Sequence, residues 1–125
     1  MNRELDAQVA ERIMGYRWEL SWNGGCRVLM PADEIQMPAP DTLKLCTDWK
    51  RYVPTYSTDL NACAQAEARV IGMGLGDLYA QTLEASIRAD LYAADGYWAG
   101  WRAALLTASA EARCRAMLQV VGEGA

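Results

Sequence analysis

The chain has 125 residues, which suits one domain over 1–125 and leaves too little for two. Hydrophobic residues make up 52% and charged residues 22%, a balance too apolar for a disordered chain. A net charge of −4 argues against duplex nucleic acid as a partner, because that binding needs clustered Lys and Arg, but it suits a basic protein surface.

Histidine is absent. That removes Ser-His and Cys-His catalytic pairs, His acid–base chemistry and His-ligated zinc. Cys26, Cys46, Cys63 and Cys114 are widely spaced, with no C-x-x-C pair to suggest a metal site. The charged opening at 1–6 has no apolar run of the signal-peptide kind, and no run approaches the ~18 residues of a membrane span. The four cysteines are therefore read as reduced thiols of a cytosolic protein.

Residues 2–14 read as a helix capped by Asn2, with Leu5, Val9 and Ile13 on its apolar face and Gly15 as its stop. Over 16–30 the pattern is a hairpin. Tyr16, Trp18, Leu20 and Trp22 alternate with Arg17, Glu19 and Ser21, and Asn23-Gly24 marks the turn. The segment 31–55 carries Pro31, Pro38, Pro40 and Pro54 and no sustained period; it reads as a long connection with room for a short strand from Trp49 to Val53.

A second helix is expected over 57–72, capped by Ser57 and ended by the glycines from Gly72 to Gly76. The order Leu83, Ala85, Ile87, Ala89, Leu91 alternates with polar residues and predicts a strand with one buried face. Asp95-Gly96 then reads as a turn, with Tyr97 to Leu105 as the return strand. Residues 77–82 fit either a helix or a loop. A third helix is expected over 109–121, capped by Ser109, with Cys114, Met117, Leu118 and Val121 inward and Arg113 and Arg115 outward. The fold class is thus α+β, an antiparallel sheet built from hairpins and packed with three helices.

Three constellations bear on function. Gly72-Met73-Gly74-Leu75-Gly76 lacks the sixth-position glycine of a dinucleotide loop and reads as a helix exit. Asp33, Glu34, Asp41 and Asp48 make the long connection acidic, with no spacing that sets two carboxylates for catalysis. The chain has five Trp and no Phe. Trp98 and Trp101, three apart on the expected return strand, would face opposite sides of a sheet, which puts one ring where it can anchor a ligand.

Met1 to Asp6 with Ile13-Met14-Gly15-Tyr16, Val53-Pro54-Thr55-Tyr56-Ser57-Thr58-Asp59-Leu60, and Ala110 to Leu118 together resemble the phage ABA sandwich domain family. The resemblance implies an alpha-beta-alpha layered fold and a phage or prophage origin, hence the cytoplasm of a bacterial host, and carries no enzymatic activity over to any residue. The expectation is a non-enzymatic accessory protein, without cofactor or metal, that inhibits a bacterial defence system by binding a protein component, as acidic anti-CRISPR proteins do. The alternative is a nucleotide sponge that sequesters a defence second messenger by aromatic stacking. Asp33, Glu34, Asp41, Asp48, Trp98 and Trp101 are the expected partner-binding residues.

Overall fold

The structure, a computed structural model, describes residues 2–20, 25–31, 39–40, 42–95 and 101–124, without the side chains of 94–95, 101–103 and 123–124. The described elements run α1 (Arg3–Arg12), β1 (Arg17–Leu20), β2 (Arg27–Met30), α2 (Leu60–Gly72), α3 (Gly76–Asp95), α4 (Trp101–Leu106) and α5 (Ala110–Gly124). The class is α+β: one antiparallel strand pair accompanies the helices.

α1 starts where expected. The Asn2 side chain accepts the Leu5 N–H at 3.0 Å, which satisfies a donor the first helical turn leaves open. The helix lays Leu5, Val9 and Ile13 into the core. Gly15, at φ +77°, takes the left-handed backbone that lets the chain reverse, and the Tyr16 N–H donates to Ala10 O at 2.8 Å.

The first hairpin is present, with Trp18 opposite Leu29 and Glu19 opposite Val28. Its turn at Asn23-Gly24 lies outside the described residues. β2 is buried on both faces. Leu29 joins the helical core, while Val28 and Met30 pack with Cys46 in a second, smaller cluster. The segment from Trp49 to Val53 forms turns, not a strand; the strand-like contact in this region is one parallel bridge between Arg27 and Leu45.

α2 is capped by Asp59, whose carboxylate accepts the Asn61 N–H at 2.9 Å. Ser57 lies outside the helix, and its N–H and hydroxyl bond to α1 and its cap. The glycine run is a tight link between two helices. Gly74, at φ +83°, turns the chain, and the Leu75 N–H donates to Val70 O at 3.2 Å.

The largest difference from expectation lies beyond this link. Residues 76–95 form a 20-residue helix where a strand was predicted over 83–92. The positions 83, 87 and 91 are shared by a strand alternation and a helix spacing of four, so the pattern fits both. Leu83 and Ile87 are buried, with Leu91 packed beside them, whereas Ala85 and Ala89 are exposed. Alanine decides the outcome, because it favours helix and tolerates either environment. Among the described residues no strand pair follows the first hairpin. Gly96 to Gly100 lie outside the described residues, and 101–106 is α4.

α5 packs against α1, α2 and α3 and is the helix they share. Cys114, Met117 and Val120 are fully buried on it, and Ser109 Oγ accepts the Ala112 N–H at 3.1 Å as its cap. Arg113 does not point outward as expected. Its guanidinium reaches Glu67 on α2 at 3.1 Å, and the same carboxylate accepts the Tyr79 hydroxyl of α3. One acid thus ties three helices together at the edge of the core. Burial, and then this bond to Glu67, push the Tyr79 phenol far above its ordinary range.

Candidate functional site

The hairpin end of the molecule gathers side chains from three segments distant in sequence. Trp18 comes from β1, Arg27 from β2, and Trp49 and Lys50 from the turns before α2. The two indole rings lie 5.3 Å apart, tilted by 46°. Arg27 sits over the Trp18 ring at 4.9 Å and Lys50 over the Trp49 ring at 5.1 Å. The result is a ladder, cation–ring–ring–cation, with both rings half-buried. Cation–ring attraction at such sites amounts to only about 0.5–1 kcal/mol, so Lys50 can exchange its ring for a better partner.

The ladder is held from behind. Cys26 and Cys46 are joined by a disulfide, and Arg27 and Cys46 exchange backbone hydrogen bonds with the facing segment: Arg27 N–H to Lys44 O at 3.1 Å and Cys46 N–H to Arg27 O at 2.9 Å. The Leu29 N–H donates to Trp49 O at 3.2 Å, which fixes the second ring to β2. The Trp18 indole N–H donates to Glu11 of α1. The bridge corrects the expectation of four free thiols; Cys63 and Cys114 remain free and fully buried. Spacing did not reveal the pair, because Cys26 and Cys46 meet only after the hairpin and the following turns fold together.

Among the described residues the charge on the hairpin and its facing turns is mostly basic. Arg17, Arg27, Lys44, Lys50 and Arg51 gather on the hairpin and the turns facing it, against Glu19 and Asp48 among the described residues. Glu19, outward by the alternation, is fully buried, with Arg17 at 3.1 Å from its carboxylate. Asp48 pairs with Arg51 at 3.4 Å, both side chains largely exposed.

A second concavity opens at the start of α1, a polar cleft of about 520 Å³ lined by Asn2, Arg3, Glu4, Lys50, Thr58 and Glu111 among others. Beneath it Asp6 is fully buried, bonded to Arg3 at 2.7 Å and to the Ser57 N–H at 2.7 Å. Glu111 on its rim is held below the usual carboxylate range, first by its hydrogen bond from Arg115 and then by Asn2. The two free thiols lie in the main core. Cys114 donates to Tyr56 O at 3.4 Å, and its hydrogen bond with Cys63, followed by burial, raises its thiol far above the ordinary range. The same hydrogen bond lowers Cys63, and both thiols are fully buried. Among the described residues no three His, Cys, Asp or Glu side chains are grouped to hold a metal ion.

Of the six expected partner-binding residues, Asp33, Glu34, Asp41 and Trp98 lie outside the described residues. Trp101 opens α4, so its place on a strand is overturned, and Asp48 sits near the ladder in its pair with Arg51. Sequence reasoning found Trp18 among the aromatics and missed Arg27, Trp49 and Lys50 as its companions. The adjacent Trp49-Lys50 was a usable signal, but nothing local tied it to the hairpin.

The chain matches no family model, no curated protein and no solved structure. Among the described residues no helix is long and apolar enough to cross a membrane.

Proposed function

We propose that this chain is a non-enzymatic phage accessory protein that acts in a bacterial host by sequestering a small anionic nucleotide, a defence second messenger being the class that fits. The observation that carries the reading is the Trp18–Trp49 pair set between Arg27 and Lys50. A nucleobase offers a flat face to an indole, and its phosphates offer Lys50 a stronger, charge-assisted partner than the Trp49 ring. The ring pair is locked to β2 before any ligand arrives, so little ordering cost falls on binding. The phage origin rests on the resemblance of the three quoted segments.

The proposed place of action is the host cytoplasm. A reducing cytoplasm disfavours lasting disulfides. Backbone bonds joining Arg27 to Lys44 and Cys46 brace the same junction beside the disulfide.

A second reading, inhibition of a defence complex by binding one of its proteins, has its own support. The polar cleft carries Glu4 and Glu111 on its rim, and a Lys or Arg of a basic partner would meet them there. The two readings separate by calorimetric titration with cyclic di-GMP and cyclic di-AMP, using free phosphate as a control. Nucleotide binding that Trp49→Ala weakens and Glu111→Gln leaves alone supports the first. No heat with any nucleotide, together with capture of a defence protein that Glu4→Gln and Glu111→Gln release, supports the second.

A further inference from the structure

α3 buries one stripe, Tyr79, Leu83 and Ile87, and presents another directly opposite. At 100° per residue Leu78, Ala85 and Tyr92, seven apart, fall within about 20° of one line. Tyr92 is 59% exposed and Leu78 39%, high for large apolar groups on a helix otherwise packed into the core. Two shallow concavities run along this line and share Gln81 and Ala85; the larger, about 480 Å³, ends at Arg88 and Tyr92.

The pattern is symmetric about Ala85. A large side chain stands two turns to either side, and the smallest stands in the middle, where two helices would approach most closely. We propose that this face is a self-association surface, on which α3 pairs antiparallel with α3 of a second copy about a two-fold axis at Ala85. In that arrangement Tyr92 lies over the partner's Leu78, and Ala85 meets the partner's Ala85.

Charge points to the same occupant. Glu84 and Arg88 lie on one flank of the line and pair within the helix at 3.0 Å. A two-fold axis at Ala85 brings like flanks together with chain direction reversed. Each Arg88 then comes alongside the partner's Glu84, so the flank is complementary to itself, as an isologous contact requires. A partner of uniformly basic or acidic character would leave one of the two charges opposed.

A single helix pair covers less than the roughly 1,600 Å² of a standard stable interface, so the dimer is concentration-dependent. Sedimentation equilibrium over a concentration series tests this. The expected result is a monomer–dimer equilibrium abolished by Ala85→Glu, an exposed site where helix content by circular dichroism stays unchanged. Arg88→Glu should weaken the dimer at least tenfold, and the charge-swapped double variant Glu84→Arg with Arg88→Glu should restore it. A monomer at every concentration overturns the proposal. A dimer indifferent to Ala85→Glu and to Arg88→Glu overturns it equally.

Discussion

The backbone N–H of Ser57 donates to the buried carboxylate of Asp6 at 2.7 Å, across 51 residues of sequence. The other carboxylate oxygen takes the Arg3 guanidinium, which also reaches the carbonyls of Lys50 and Val53. Asp6 therefore pins the chain entering α2 onto the first turn of α1. Removing the carboxylate leaves the buried Ser57 N–H without its acceptor and takes one bond from Arg3, a loss typically of about 1–3 kcal/mol. Asp6→Ala should lose stability on that scale in urea unfolding. Asp6→Asn, which keeps an acceptor for Ser57, should lose less. Equal and small losses would mean that Asp6 is not the pin.

Thiol counting separates the two kinds of cysteine. Unreduced native protein should show no reactive thiol, unreduced denatured protein two, and reduced denatured protein four, because Cys63 and Cys114 are buried and Cys26 is bonded to Cys46. A bridge spanning 20 residues stabilises by about 3 kcal/mol in the chain-entropy picture, so replacing both Cys26 and Cys46 by Ser should lower stability by roughly that amount. Four free thiols in denatured protein never exposed to reductant would remove the bridge.

Tyr56 and Tyr79 should resist ionisation. Burial raises both phenols well above the ordinary 10.0, with Tyr16 adding to the effect at Tyr56 and Glu67 at Tyr79. A folded-state pKa raised above the unfolded value contributes stability that is complete below the unfolded pKa and is lost as pH rises through the folded one. The fold should hold its full contribution from these groups below about pH 10 and weaken above it. Phenolate absorbance should then show two of the six tyrosines titrating only as the protein unfolds. Six tyrosines titrating together in folded protein would contradict the packing.

Legibility divided along physical lines. α1, the first hairpin and α5 were readable because cap, period and stop agree within one short stretch. α3 was misread because 83, 87 and 91 serve a strand and a helix alike, and the exposed Ala85 and Ala89 looked apolar without being buried. The ladder was legible only in part. Trp18 stood out in its strand, but its approach to Trp49 and Arg27 depends on the turns over 42–53 folding back onto β2, which no local rule encodes.

The acidic connection offers a test of opposite signs. Neutralising Asp33, Glu34, Asp41 and Asp48 together to Asn or Gln should leave nucleotide binding unchanged or strengthen it, since removing negative charge from the chain lessens its repulsion of phosphates. If the chain instead holds a basic protein, the same variant should bind more weakly and with less dependence on salt. Titration of each ligand type at two salt concentrations reads the sign.

Native mass spectrometry of the protein isolated from infected host cells tests most directly whether the Trp18–Trp49 pair between Arg27 and Lys50 takes up a nucleotide. The expected result is a chain carrying the extra mass of one nucleotide, released on denaturation. That increment should be lost in Lys50→Glu and in Trp49→Ala, the latter weakening binding by about 1–3 kcal/mol through lost stacking. Chains at their bare mass in wild type, copurifying with a defence protein that Lys50→Glu and Trp49→Ala still retain, would contradict it.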